Sequence, residues 1–477
     1  MNLISNFLSE EEKKIIHADS IRILEDIGIK FSSSRALELL EKGGARVDWE
    51  NEIAYIPGNL VEKSLKTTPK NFVLGGRNPE NNFSMPSSFT GYNLDGTGVN
   101  TIDFETGKRR PAILNDIADA AKLFDQIDLG YVLWPPVSPC DVPYGPRNIF
   151  GTGISFLNTS KHVSDEVKDI KEVKYVIAML EAITGSIKEV EERKIYSVTY
   201  CTVAPLCHDG EMLEANMELT KYQVPILIYP MPACGTTGPA SLYSNVAMAN
   251  AEALSALVIF QLTSPGTPLI YGAALGMVHP KSGRFLEGTP ETILQVGAMG
   301  DMARFYNLPN MSAGCLTDAK APGMQSVMEK MVTTLPLVLS GTDIVQGIGL
   351  LESSMTLSYE QIIIDGEIAN LCKRLRDGID VSDQKNYYED FKQVGHGGHF
   401  LKQKSTRLAF RSDEFYMSEL CDRNSHDEWE LLGRPDLLSN ARNRVEEILK
   451  SEQKNPLSDH KEKLIREIMK EAERSLI

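Results

Sequence analysis

Residues 195–229 read IYSVTYCTVAPLCHDGEMLEANMELTKYQVPILIY. Ile195–Val203 is an apolar run that stops at Pro205, a helical pattern follows, and Val224–Tyr229 is a second apolar run that stops at Pro230. Strand, turn, helix and strand in that order make a βα unit with the next strand attached. The texture repeats from Leu129 onward, with Gly130–Trp134, Lys161–Ser164, Pro268–Gly272, Pro309–Ala313 and Asp343–Gln346 as further strands, each followed by a helical pattern. Their starts lie roughly 30 to 43 residues apart, the length of one such unit. Seven units of this kind predict an α/β fold, a (β/α)8 barrel of the TIM type, which typically takes about 250 residues. The eighth strand is expected either before Leu129 or after Leu350.

Working outward from the barrel, Glu10 to Glu41 carries Ile15, Ile16, Ile23, Leu24, Leu37 and Leu40 at helical spacing and predicts a helical cap. Short β-prone pieces follow at Glu52–Ile56 and Asn71–Leu74. The tail from Ser439 mixes Glu, Lys and Arg with an intermittent apolar stripe and predicts solvated helices packed on the barrel. The expected division is residues 1–128 as N-terminal cap and small β-containing extension, 129–400 as barrel, and 401–477 as C-terminal helical extension.

The composition excludes several classes. Lys and Arg number 49 against 65 Asp and Glu, a formal net charge of −16, which opposes a nucleic-acid partner. The most apolar stretch, Ala253 to Leu262, is too short for a membrane span. The N-terminus opens with Glu10, Glu11 and Glu12 and lacks the pattern of a secretory signal. Seven cysteines without a Cys-x-x-Cys pair fit reduced thiols. A soluble, cytoplasmic protein with no membrane association is expected.

A barrel places its active site at the C-terminal ends of the strands. After the run at Val224–Tyr229 comes Pro-Met-Pro-Ala-Cys234-Gly-Thr-Thr-Gly238, a turn whose N–H groups would face an anionic group at a helix N-terminus. After Pro268–Gly272 come His279, Lys281 and Arg284, then Gly288-Thr-Pro-Glu291, a helix start. Asp318, Lys320 and Gln325 follow the next strand, and Glu352 the last. Gly395-His396-Gly-Gly-His399 offers two histidines three apart on a glycine-flanked loop. No G-x-S-x-G elbow, P-loop or H-E-x-x-H is present, and the His-x-His pair of barrel amidohydrolases is missing.

The segments Tyr229–Gly238, Tyr271–Glu291, Thr317–Lys320 and Gly397–Leu401 occur in an order that resembles the trimethylamine methyltransferase family over nearly the whole chain. Founding members carry pyrrolysine, which would align with the Cys315–Gln325 loop; this chain holds only standard residues and resembles the branch that demethylates quaternary amines. The resemblance implies transfer of a methyl group from a quaternary amine to Co(I) of a separate, cognate corrinoid protein, with cobalamin supplied by that partner and no cofactor held tightly by this chain. Glycine betaine, giving dimethylglycine, is the first-choice donor; proline betaine, carnitine and γ-butyrobetaine remain open. A homo-oligomer is also expected. An onium head needs aromatic faces and carboxylates. Tyr92, Tyr229, Tyr271 and Tyr359 are the cage candidates, and Asp318 or Glu352 the counter-charge. His279, Lys320, His396, His399 or Arg407 would meet a betaine carboxylate. No metal ligand set is assigned. Two other readings stay open: a zinc-assisted methyltransferase using Cys201, His208, Cys234, His279 and Cys315, and a non-catalytic betaine-binding module.

Overall fold

The computed structural model describes residues 5–96 and 98–476. Parallel strands β1 (Gly91–Leu94), β2 (Gly130–Leu133), β3 (His162–Asp165), β4 (Tyr196–Cys201), β5 (Ile226–Tyr229), β6 (Leu269–Ala273), β7 (Asn310–Ala313) and β8 (Ile344–Ile348) form a closed barrel, β8 pairing back onto β1. A main helix follows each strand: α1 (Leu114–Phe124), α2 (Arg147–Asn158), α3 (Ile170–Thr184), α4 (Gly210–Leu219), α5 (Leu242–Thr263), α6 (Pro290–Phe305), α7 (Met324–Ser340) and α8 (Tyr359–Asp377), with a further short helix Ile187–Arg193 after α3. The TIM-type reading therefore holds. Asp169, Asp209, Ser241, Thr289 and Ser358 each accept a backbone N–H at the start of α3, α4, α5, α6 and α8, contributing about 1 kcal/mol apiece.

The strand that the sequence left unplaced is β1. Its four residues include Gly91 and Asn93, and Asn93 points into the barrel, where its amide meets Gln346 Oε1 at 3.2 Å. The expected boundaries at 128/129 and 400/401 do not coincide with these elements. The barrel begins at Gly91 and its last helix stops at Asp377.

Side chains alternate along the strands, so one set fills the barrel and the other packs under the helices. Val132, Leu227, Ile270, Met311 and Ile344 point inward, and Leu74, Phe83 and Met85 join them in one apolar cluster. Those three come from the hairpin Phe72–Leu74/Phe83–Met85, which plugs the N-terminal end of the barrel. Just above, His162 is buried with both ring nitrogens satisfied, by Gly75 O at 3.0 Å and Ser197 Oγ at 2.9 Å.

Two small sheets stand over the C-terminal end. One pairs Leu350–Leu351, Thr356–Leu357, Asn100–Ile102 and Arg109–Pro111; the other pairs Ala233–Cys234, Gly276–Val278 and Phe285–Leu286. Helix Glu10–Arg22 packs on α5 and α6, Leu437–Lys450 on α1 and α8, and Asp459–Leu476 on α2 and α3. Among the described residues, the one helix long and apolar enough to cross a membrane is α5, and its apolar window is almost wholly buried in the barrel wall.

Candidate active site

Six of the eight strands deliver an inward side chain to the mouth. Asp95 follows β1, Trp134 follows β2, Glu166 follows β3, Cys201 ends β4, Tyr229 ends β5 and Gln346 lies in β8. Glu287 arrives from above, just after the strand Phe285–Leu286. Asp95 Oδ1 accepts from Gln346 Nε2 at 2.9 Å, and Asp95 Oδ2 lies 3.0 Å from Ser354 Oγ. The same Ser354 Oγ lies 2.7 Å from Glu287 Oε2.

A hydroxyl has one proton and cannot donate to both carboxylates. One of the two acids must therefore be the donor. Burial, with the Asp95 charge as the next cause, pushes Glu287 up to about 8, so at neutral pH Glu287 carries the proton and donates to Ser354, which donates to Asp95. Burial raises Asp95 as well.

The Tyr229 hydroxyl is fully buried beside this pair and has no hydrogen-bond partner. Burial, then the charges of Asp95, Cys201 and Glu287, drives its ionisation far above the usual phenol range, so it stays neutral. Burial likewise keeps Cys201 a thiol, 3.6 Å from Glu166 Oε1. The nearest buried cation, Lys330, is engaged elsewhere: its Nζ sits 2.8 Å from Asp365 Oδ2 and also donates to Cys315 O and Gly347 O. Trp134 is buried next to Gly96, where any Cβ would fall within 2.4 Å of the indole, so only glycine lets the chain cross that ring. A cavity of about 150 Å³ opens from Trp134 between the ends of β2 and β3, lined also by Arg147, Asp165, Glu166 and Lys168. Lys168 Nζ pairs with Glu166 Oε2 at 2.8 Å.

Ser354 is held in place by strained backbone. Glu352, Ser353 and Ser354 have φ of 59°, 52° and 59°, a run of left-handed non-glycine residues that costs roughly 1–2 kcal/mol each. The run is anchored by Glu352 N to Ala319 O at 2.7 Å and Ser353 N to Thr317 O at 3.0 Å. The strained run sets one hydroxyl between two carboxyl groups.

Only Tyr229 of the four aromatic candidates reaches this mouth. Tyr92 and Tyr271 occupy outward positions of β1 and β6: burial and the neighbouring Cys372 and Cys315 raise the Tyr92 phenol, and the Tyr271 hydroxyl donates to Asn250 of α5. Tyr359 starts α8, bonded to Asp116 at 3.0 Å. Strand parity decides Tyr92 and Tyr271, because an aromatic at the wrong parity faces the helices, whereas Tyr359 lies on a helix and not on a strand.

Asp318 ties loops together, accepting from Glu287 N at 3.0 Å, Gly288 N at 3.2 Å and Ser353 Oγ at 2.7 Å. Glu352 pairs outward with Arg109 Nε at 2.9 Å. Lys320 and Gln325 are exposed, the former on the carbonyl of Asp318, the latter on Glu329 Oε1 at 2.8 Å. His279 closes its own hairpin, accepting from Lys281 N and Ser282 N at 3.2 Å. His396, His399 and Arg407 are exposed on the segment after α8. That segment is rooted at the opposite end of the barrel, where Arg374 of α8 holds Glu414 O at 3.0 Å.

The Gly235–Gly238 turn closes on itself, Gly235 N to Gly238 O at 2.9 Å, and α5 starts later, at Leu242, so no helix N-terminus opens there. The zinc set is not brought together either. The His208 ring lies under the helices between Tyr200 OH at 2.7 Å and Ser255 Oγ at 2.8 Å, and Cys315 lies beside Lys330. Asp95, Trp134, Glu166, Glu287 and Gln346 were absent from the sequence-derived set. Trp134 and Gln346 lie in expected strands, where the strand-end rule could have found them; Asp95 was hidden with β1.

The family described as Trimethylamine methyltransferase (MTTB) matches residues 3–476. The chain is 31% identical over 465 residues to the trimethylamine methyltransferase MttB of Desulfitobacterium hafniense, covering 98% of this chain and 93% of that one. It is 32% identical to the MttB of Methanosarcina thermophila, covering 95% and 94%. The glycine betaine methyltransferase of Desulfitobacterium hafniense is 32% identical over 426 residues, covering 89% and 88%. Among solved structures, the monomethylamine methyltransferase of Methanosarcina barkeri superposes with a TM-score of 0.50 at 12% identity, covering 94% of this chain and 90% of that one, a likeness of fold alone.

Proposed function

Since the chain belongs to the trimethylamine methyltransferase family and is a methyltransferase, we propose that it demethylates a quaternary amine, glycine betaine first, and hands the methyl group to Co(I) of a corrinoid on a separate protein. The observation that carries this reading is the buried, unpartnered Tyr229 hydroxyl beside Asp95 and Glu287, with the nearest buried lysine already neutralised by Asp365. The buried Asp95–Glu287 pair therefore lacks a cation of its own, since Lys330 is bound to Asp365 and Lys168 to Glu166. An onium head supplies the charge without needing a hydrogen bond, and the faces of Tyr229 and Trp134 supply cation–π attraction of about 0.5 to 2 kcal/mol per ring.

The chemistry follows from the charge. The methyl carbon moves to the nucleophile as its bond to nitrogen breaks, and the electron pair stays on nitrogen, leaving a neutral tertiary amine, dimethylglycine from glycine betaine. No proton is needed by the leaving group. The chain orients the onium and excludes water. When the cation binds, Glu287 loses its proton; when the positive charge disappears, Glu287 Oε2 regains one, so the buried site is never left with two uncompensated carboxylates. The carboxylate of a betaine is assigned to Lys168 and Arg147 at the cavity between β2 and β3, whose small volume favours a short donor.

The test is methyl transfer to cob(I)alamin, followed by its spectral conversion to the methylated form, with glycine betaine, proline betaine, carnitine, γ-butyrobetaine, choline and trimethylamine. Activity on glycine betaine, with Lys168→Ala raising KM for betaine and not for choline, is the expected result. Turnover of trimethylamine alone would sink the quaternary-amine reading. Binding without transfer to any corrinoid protein would replace it with a betaine-binding module.

A further inference from the structure

The stretch 391–411 is unlike the rest of the chain. Lys392, Lys402, Lys404, Arg407 and Arg411 fall within it and no carboxylate does, in a protein of net charge −16. Its large apolar side chains also face water: Phe391, Leu401, Leu408 and Phe410 are 60%, 73%, 55% and 61% exposed. It is nevertheless an ordered piece, with helices Tyr388–Val394 and Lys404–Ala409 and an edge-on Phe391–Phe400 pair. An ordered stretch that exposes several large apolar side chains in this way fits a contact with another protein surface.

A surface of matching character lies across the molecule. Helix Glu10–Arg22 and the first turns of α5 and α6 enclose an apolar groove of about 390 Å³, lined by Phe7, Leu8, Ile15, Val246 and Leu294. Ile15 and Leu294 are about half exposed there. Glu12 stands in the groove, and Asp19 and Asp26 line the adjoining depression with Arg22 paired between them at 3.8 and 3.7 Å, so the rim carries three acids against one base. The basic stretch and the groove do not meet within one chain, since no residue of 391–411 lines the groove. The stretch follows α8 and is anchored through Glu414 to Arg374 and Lys385, at the N-terminal end of the barrel, whereas the groove lies beside the starts of α5 and α6, at the mouth end.

We propose that residues 391–411 of one chain seat in the groove between helix Glu10–Arg22, α5 and α6 of a second copy. Apolar side chains meet apolar lining and cations meet an acidic rim, which fixes both partner and register. Two copies can exchange the contact reciprocally and close the assembly.

Sedimentation velocity of the full chain at micromolar concentration tests this. A dimer or larger closed oligomer is expected, weakened about 100-fold by Leu401→Asp with Phe410→Asp, and equally by Ile15→Asp with Leu294→Asp. All four positions are exposed in the single chain, and unchanged circular dichroism checks that folding is intact. Arg407→Glu should weaken association about tenfold, and Glu12→Lys in the same chain should restore it. A monomeric wild-type chain overturns the proposal, as does an oligomer indifferent to either pair of substitutions. So does an unchanged oligomer whose arm variants instead lose binding to anionic vesicles or to a corrinoid protein, since the stretch would then serve another partner.

Discussion

The two ends of the barrel are built from the same strands and obey opposite rules. At the N-terminal end, Leu74, Phe83 and Met85 fill the bore and His162 has both nitrogens bonded. At the C-terminal end, two carboxyl groups share one serine hydroxyl, a tyrosine hydroxyl goes unpaired, and three consecutive residues sit in left-handed backbone. One end carries stability; the other holds unsatisfied polar groups, which the proposed quaternary cation would relieve.

Several measurements break or sharpen that contrast. Phe83→Ala should cost about 3–5 kcal/mol in denaturant unfolding and leave KM unchanged. A rise in KM instead would mean that the plug shapes the mouth. Glu287→Gln should reverse the pattern, lowering kcat/KM about 100-fold with no loss of melting temperature, because Gln mimics the protonated acid. Tyr229→Phe removes a buried orphan hydroxyl and should raise stability by about 1 kcal/mol while reducing turnover; a loss of stability would show that the hydroxyl has a partner after all.

The pH behaviour follows from Glu287, held at about 8 against an ordinary 4.5. Its stabilising contribution to the free protein is complete below pH 4.5 and fades as pH rises through 8. Affinity for a quaternary cation runs the other way, rising up to about tenfold per pH unit until pH 8, with release of about one proton at neutrality. Calorimetry in buffers of different ionisation heat reads that proton; heat independent of buffer would end the shared-proton account. The smallest effects belong outside the bore. Tyr271→Phe and Tyr359→Phe each lose hydrogen bonds to helix-borne side chains, so each should cost about 1 kcal/mol of stability and leave KM alone.

The sequence by itself determined the barrel and its family. Seven strand–helix repeats are a local signal, because apolar runs and caps act on neighbouring residues, and Tyr229 was legible as the residue ending one of them. The eighth strand was not, since a four-residue strand containing Gly91 and Asn93 has too little apolar character to stand out. Trp134 and Gln346 were within reach of the strand-end rule, but Asp95, Glu287 and Ser354 were brought together by tertiary structure alone. Which face of a strand looks inward depends on register, so Tyr92 and Tyr271 turned to the helices while Trp134 and Gln346 turned to the bore. The pairing of Asp95 with Glu287 through Ser354 joins residues 192 and 67 positions apart in residue number, and only closure of β8 onto β1 brings them within hydrogen-bond reach.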